Sequence, residues 1–281
     1  MILAPLRGVT IRCFREVFAS VIEECGFTEA FTPFVSAMPG VSPLSDRELR
    51  GVVPAQERLK LTPQFIGKDP QALRHCLGRI KEAGFDTADL NCGCPFPMVR
   101  NKGRGSGLLR DPDLFRRMLE AGVEVMGEGV FSIKARIGVD RRDELLGLMP
   151  IVNEFPLRFL TIHGRLARQM YDGECDTGMV GEIERASKVP VVVNGDLDWR
   201  GGRGMVGRSF IRYLGTREDI GKLLLEYIEA SRRELYGDRA VLGRMKELLA
   251  YWKELPRWRR RWQIVKISRS LDELRSVLDE L

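Results

Sequence analysis

Histidine is scarce in this chain: there are two, His75 and His163. No run of about 18 uncharged apolar residues occurs, so no membrane-spanning helix is expected. Met1-Ile2-Leu3-Ala4-Pro5 leads straight into a strand pattern and lacks the charged n-region and long apolar h-region of a secretory leader. The six cysteines (13, 25, 76, 92, 94 and 175) show no disulfide-framework spacing for 281 residues, and a reducing, cytoplasmic setting is expected. Cys92 and Cys94 have no second ligand pair at zinc-like spacing, so no metal is expected. Internal repeats and low-complexity tracts are missing too.

What is present fits a globular protein. Hydrophobic residues make up 44% and charged residues 30%, enough for one large barrel or a barrel with a small second domain. The net charge of +6 favours a polyanionic partner. Six basic residues and no acid lie between Arg257 and Arg269, with Trp258 and Trp262 interleaved. Arg257, Arg259, Arg260 and Arg261 suit phosphate contacts, and the tryptophans suit stacking on exposed bases. The plainer reading is a solvated helix face whose tryptophans pack inward.

Short apolar runs alternate with longer helical patterns. Strands are expected at 2–4, 30–35, 63–66, 87–90, 131–135, 159–162 and 189–193, with helices at 13–25, 70–83, 112–122, 142–153 and 179–187. This β-then-α rhythm predicts a parallel α/β fold, a TIM-type (β/α)8 barrel over residues 1–210. From 211 to 281 no strand-like run occurs, and apolar residues recur at helical spacing, which predicts an all-α domain ending in a helix at 271–281.

In such a barrel the C-terminal strand ends converge on one rim, where active sites form. Read in order, that rim holds Pro5-Leu6-Arg7, Ser36, Gln64, Asn91 with Cys94, Lys134 with Arg136, His163, and Asn194-Gly195-Asp196. Core-facing strand interiors read as apolar, with the switch to polar at the same end each time. Amides and Lys134 at a rim can hydrogen-bond a flat heterocycle, while Asn194-Gly195-Asp196 and Gly202-Arg203-Gly204 can hold a ribityl chain and a phosphate. His75, inside an amphipathic helix pattern, reads as structural. The thiol of Cys94 belongs to a type that ionises near pH 8.5, close enough to neutrality to act as a general acid.

The ordered motifs Leu90-Asn91-Cys92-Gly93-Cys94-Pro95, Gly105-Ser106-Gly107-Leu108-Leu109-Arg110-Asp111-Pro112, Lys134-Ala135-Arg136-Ile137-Gly138, His163-Gly164-Arg165 and Asn194-Gly195-Asp196 closely resemble the tRNA-dihydrouridine synthases. The similarity runs over about residues 3–210. It implies an FMN-bound barrel that reduces the C5–C6 double bond of a uridine in tRNA, with NADPH as electron source. Cys94 then corresponds to the general acid. Pro5, Leu6, Arg7, Gln64, Lys134, His163, Asn194, Gly195, Asp196, Gly202 and Arg203 would hold FMN. Ser36, Asn91 and Arg136 would meet the substrate, and the helical domain would grip the tRNA. A uridine stacked in tRNA must be flipped out to reach a barrel mouth. The expected partner is tRNA, with no membrane and no metal, and the protein is expected to be a monomer.

One departure bears on the fold. In the family, a helix and the eighth strand separate Asn-Gly-Asp from the phosphate loop; here only Leu197-Asp198-Trp199-Arg200-Gly201 intervene between Asp196 and Gly202. At about 1.5 Å per helical residue that cannot make both elements. The eighth strand is expected to be missing, or cut to a stub at Met205-Val206-Gly207. Arg7 also stands where the family has an acidic or neutral residue. The competing reading is a non-catalytic RNA-binding relative that lost tight FMN binding; a flavin enzyme acting on a small metabolite would leave the 257–269 segment unexplained.

Overall fold

The computed structural model describes residues 1–40 and 59–279. In chain order the first elements are β1 (Ile2–Leu3), α1 (Arg12–Val17), α2 (Ala19–Glu24), β2 (Glu29–Phe31), β3 (Val35–Ala37), β4 (Lys60–Thr62) and β5 (Gln64–Gly67). Next come α3 (Pro70–Glu82), β6 (Ala88–Cys92), α4 (Pro97–Arg100), a 3-10 turn (Gly105–Arg110), α5 (Pro112–Met126), β7 (Phe131–Gly138), α6 (Glu144–Val152), β8 (Leu160–Leu166), α7 (Thr177–Ala186) and β9 (Val191–Asn194). The chain finishes with β10 (Met205–Val206), α8 (Arg208–Leu214), α9 (Ile220–Glu234), α10 (Gly237–Leu249), α11 (Pro256–Ile267) and α12 (Leu271–Leu278). The last two residues of the helix expected at 271–281 lie outside the described residues.

Contacts group the chain into two compact units. One gathers Met1–Pro33, a short piece ending at Lys60, and the chain from Asp198 onward; the other runs from Phe34, and then from Leu61 to Leu197. The second unit carries a parallel sheet in the order β3-β5-β6-β7-β8-β9, with helices joining β5 to β6, β6 to β7, β7 to β8 and β8 to β9. Its helices start where their sequence says. Asp69 accepts from the Ala72 peptide N–H at 2.7 Å and Asp111 from Leu114 at 2.9 Å, with Pro70 and Pro112 in the first turns.

The strands of this unit present two faces of different chemistry. Phe65, Leu90, Cys92, Ile133, Ala135, Leu160 and Ile162 belong to the apolar core that includes Leu73 and Leu77 of α3 and Phe115 and Leu119 of α5. Burying each such large side chain contributes about 1.5–3 kcal/mol. Packing is close enough that a Cβ on Gly122 of α5 would lie 2.0 Å from the Phe131 ring. The alternate residues, Gln64, Asp89, Asn91, Ser132, Arg136, Thr161, His163 and Arg165, are buried and polar. The core-facing positions are apolar as expected, but the polar groups are not confined to one end: the period-2 alternation runs the length of β6, β7 and β8. Lys134 and Arg136 accordingly sit inside β7, which extends to Gly138.

In the first unit β1 pairs in parallel with β2 and with β10, placing Ile2 opposite Met205 and Leu3 opposite Val206. The eighth strand therefore exists as a two-residue stub, as the short connection predicts. Between β9 and β10 the regular structure is a single 3-10 turn, Trp199–Gly201, capped by Asp198 on the Arg200 N–H at 3.0 Å. The full helix expected of a barrel repeat is gone.

The helices after β10 share a core with the N-terminal segment. Phe14 and Phe18 of the α1 region meet the Tyr227 ring of α9 at 6.1 and 6.0 Å, and Cys13 approaches the Ser231 hydroxyl at 3.6 Å. The helix expected at 13–25 is broken at Phe18 into α1 and α2. The strand expected at 30–35 is likewise two strands, interrupted by Pro33, which has no N–H for a ladder.

Candidate active site

A chain of hydrogen bonds crosses the polar face of the second unit and ends at Cys94. Asp89 accepts from Gln64 Nε2 at 2.8 Å and from Ser132 Oγ at 2.7 Å. Gln64 Oε1 accepts from Asn91 Nδ2 at 2.8 Å, and Asn91 Oδ1 accepts from the peptide N–H groups of Gly93 (3.1 Å) and Cys94 (2.9 Å). The Cys94 carbonyl is held in turn by Ser106 Oγ at 2.8 Å. Gly105, at φ +56°, packs so closely that a Cβ there would lie 2.7 Å from Cys94 Cβ. The two cysteines of the motif thus have different environments. Cys92 faces the helices, and burial, with the Asp89 charge adding to it, pushes its thiol well above the usual range. It is a core residue, the ordinary fate of free Cys.

One level along the strands, Lys134 pairs in register with Asn91 on one side and Thr161 on the other. Burial pushes the Lys134 ammonium down to about 8; repulsion from Arg136 adds to this, and Asp89 and Cys94 oppose it. Among the described residues no hydrogen bond or ion pair reaches the Lys134 ammonium. The neighbouring Thr161 Oγ1 is buried and also makes no hydrogen bond among them.

The next level holds Arg136, His163 and Asn194 in register across β7, β8 and β9. Arg136 donates to Gly93 O at 3.0 Å and Leu166 O at 2.9 Å, and lies 5.3 Å from the Tyr171 ring centroid. His163 is buried edge-on to that same ring. Gly195, at φ +104°, passes so close that a Cβ would come within 2.6 Å of Cys175 Sγ and 2.9 Å of His163 Cδ2. Asp196 has the left-handed backbone (φ +52°) that costs a non-glycine residue energy, and its carboxylate is clamped by both Nη atoms of Arg165.

The other expected residues lie on further segments. Ser36 is exposed on β3, and Pro5, Leu6 and Arg7 form the loop after β1, with Leu6 N–H on Thr10 Oγ1 at 2.9 Å. Gly202 and Arg203 precede β10, and Gly204 O accepts from Ile2 N–H at 3.1 Å, so they lie at the N-terminal end of that strand. The stub begins at Met205, after them, where the sequence places it. The Gly207-Arg208 pair, which sequence reasoning misses, follows β10 directly and opens α8. A second Gly-Arg after an apolar dipeptide was its signal. Asp89, Ser132 and Thr161 are missed as well; their signal was spacing by two from Asn91, Lys134 and His163.

The arginine-tryptophan segment forms α11. Trp258 is buried, 4.8 Å from the Trp252 ring, and donates Nε1–H to Gly215 O at 2.8 Å. It is a core residue, which overturns the expectation of base stacking there. Arg257 and Arg261 are half-buried on carbonyls of Arg217 and Arg257, whereas Arg259 and Arg260 are exposed.

The family model described as Dihydrouridine synthase (Dus) matches residues 2–201. The chain belongs to the dihydrouridine synthase family. A tRNA-dihydrouridine(16) synthase of Shigella flexneri is 28% identical over 292 residues, covering 90% of this chain and 89% of that protein. One of Salmonella typhimurium is 30% identical, covering 90% of each. The fold is that of an old yellow enzyme homologue from Zymomonas mobilis, a TIM-type barrel, with TM-score 0.55 at 12% identity over 75% of this chain and 85% of that one. Membership makes this Dus chain a flavin-dependent oxidoreductase. Its residues fit such a group: on this polar face the Lys134 ammonium and the buried Thr161 hydroxyl make no hydrogen bond among the described residues. No helix of the described residues is long and apolar enough to cross a membrane, and no group of three or more His, Cys, Asp or Glu among them could hold a metal ion.

Proposed function

We propose that this Dus chain reduces the C5–C6 double bond of a uridine in tRNA, with FMN as its flavin and NADPH as reductant. The observation that carries the reading is Cys94: its thiol stands on a loop whose peptide N–H is held by Asn91, beside a strand bearing the desolvated Lys134. When bound, the flavin supplies the hydride for C6. Cys94 Sγ–H gives its proton to C5, leaving a thiolate that solvent reprotonates. Lys134, Gln64, His163, Asn194 and Gly195 are proposed to hold the flavin ring and ribityl chain. The positive charge of Lys134 stabilises an electron-rich ring.

Arg136 still has guanidinium N–H groups beyond the two carbonyls it serves, and is proposed to meet the uracil. Asn91 has one N–H left for it. Pro5, Leu6, Arg7 and Ser36 enter from the family resemblance alone, as do Asp196, already committed to Arg165, and the gripping of tRNA by residues 211–281. The phosphate is assigned to Gly207-Arg208 rather than Gly202-Arg203, because the former follow their strand. Relatives that match along nine-tenths of this chain are named for position 16, so uridine 16 is the first position to test. Against the non-catalytic reading, the two-residue β10 is paired with β1; a protein that retains no flavin and forms no dihydrouridine would favour it.

The test combines a visible spectrum of the desalted protein with FMN and mass spectrometry of tRNA nucleosides after incubation with NADPH. The wild type should keep flavin and form dihydrouridine. Cys94→Ala should keep flavin and lose at least about a hundredfold in rate, on the scale of general-acid catalysis; undiminished turnover would remove Cys94 from the mechanism.

A further inference from the structure

Asp89 is fully buried as the second residue of β6, away from the loop that carries the thiol. Both of its oxygens accept, one from Gln64 and one from Ser132. A carboxylate has no donor to offer, whereas each amide has a donor end and an acceptor end that can exchange places. The carboxylate therefore decides which way the amides turn. Gln64 must give its NH2 to Asp89, at 2.8 Å, which points Oε1 toward Asn91. Oε1 can only accept, so Asn91 must present Nδ2, also at 2.8 Å. That leaves Asn91 Oδ1 facing the peptide N–H groups of Gly93 and Cys94. Turned the other way, Asn91 would set its NH2 against two N–H donors, and the turn that carries Cys94 would lose its anchor.

We infer that Asp89 is a positioning residue for the reaction: through Gln64 and Asn91 it sets the donor–acceptor direction that holds the Cys94 backbone in place. The inference rests on the proposed role of Cys94 only for its consequence in catalysis. The relay itself is readable without turnover.

Simple neutralisation is the weaker test. In Asp89→Asn the new amide can turn its oxygen to Gln64 and its NH2 to Ser132, whose hydroxyl then donates to Ala88 O, 3.4 Å away. The decisive pair is Gln64→Glu and its combination with Asp89→Asn. Gln64→Glu, with both carboxylates ionised, sets two acceptor-only groups against each other and breaks the relay at its first link; a proton shared by the pair at lower pH restores it. In Gln64→Glu/Asp89→Asn each hydrogen bond of the relay again has a donor and an acceptor. The amide introduced at position 89 donates to the carboxylate introduced at position 64, and that carboxylate accepts from Asn91. The net charge equals that of wild type.

Amide hydrogen exchange of Gly93 and Cys94, measured on the full chain without tRNA, reads the anchor directly. Gln64→Glu should speed their exchange at least about tenfold, the effect of losing one hydrogen bond, while the amides of α3 and α5 keep their protection. The double variant should return to within about twofold of wild type. Exchange in Gln64→Glu that stays at the wild-type rate as pH is raised to about 9, where the shared proton is lost, overturns the inference, as does a double variant that fails to fold or exchanges as fast as the single. Should Gln64→Glu itself not fold, recovery of wild-type protection in the double variant still supports the relay. Full retention of turnover in Cys94→Ala, with the relay intact, would instead fault the proposed chemistry.

Discussion

Lys134 shows how a single residue carries opposing demands. Its proton is held less tightly in the folded protein (about 8) than in an ordinary lysine at 10.5, because burial and Arg136 outweigh Asp89 and Cys94. The unfolded chain binds more protons between those values, so stability rises with pH across that window. Below about pH 8 the cost of burying the charge is fully present; above about 10.5 it is gone. Lys134→Met should therefore stabilise the flavin-free protein at pH 7 by about 1–3 kcal/mol in urea melts, with the gain fading above pH 8. The wild-type rate of uridine reduction should fall as pH climbs through 8, since the cation that supports the ring is lost. A flat profile from pH 7 to 9.5 would remove Lys134 from that role. The type of this residue was legible from the chain alone. Its missing hydrogen-bond partners were not, because they depend on what neighbouring strands present.

At the scale of elements, neighbouring residues along the chain decide most of what forms. Asp69-Pro70 and Asp111-Pro112 start helices where their caps predict, and the strands expected from the sequence appear close to their places. Errors arise where a small local feature overrides the pattern. Pro33 splits one expected strand, Phe18 ends a helix early, and β4 is a three-residue strand too short to show any alternation. The stub β10 has the same difficulty, and its position separates two Gly-Arg pairs. Arg208, at the end of β10 where strand meets helix, should matter for the cofactor; Arg203, before the strand, should not. In FMN titrations Arg208→Ala is expected to weaken binding at least about tenfold, the loss of one charge-assisted contact, and Arg203→Ala less than about twofold. The reverse ranking would return the phosphate to the earlier loop.

For the whole molecule, the unit that contains the helices also contains Met1–Pro33. Tyr227 packs edge-on to Phe14 and Phe18, Trp252 Nε1–H reaches Ile211 O at 2.6 Å, and Arg244 reaches Gly8 O at 2.5 Å. A chain cut after residue 210 would expose Phe14 and Phe18 and strip Gly8 of its partner. Truncation to 1–210 should abolish cooperative unfolding of the N-terminal segment, monitored by circular dichroism during heating. A cooperative transition within about 4 °C of full length, the shift expected of a loss near 1 kcal/mol, would show that the helices are dispensable for folding.

The amino-acid sequence by itself determined the α/β class, the run of polar groups from Gln64 to Asp196, the helical tail and the family, because alternation, capping and short motifs depend on residues close along the chain. Only the tertiary structure decided which groups meet. Asp89 reaches Cys94 through Gln64 of another strand, Trp258 turns inward onto Trp252, and β10 closes on β1 with two residues. Those outcomes rest on hydrogen bonds and packing between segments far apart in sequence, where each group's partner is chosen by strand register and burial rather than by its neighbours in the chain.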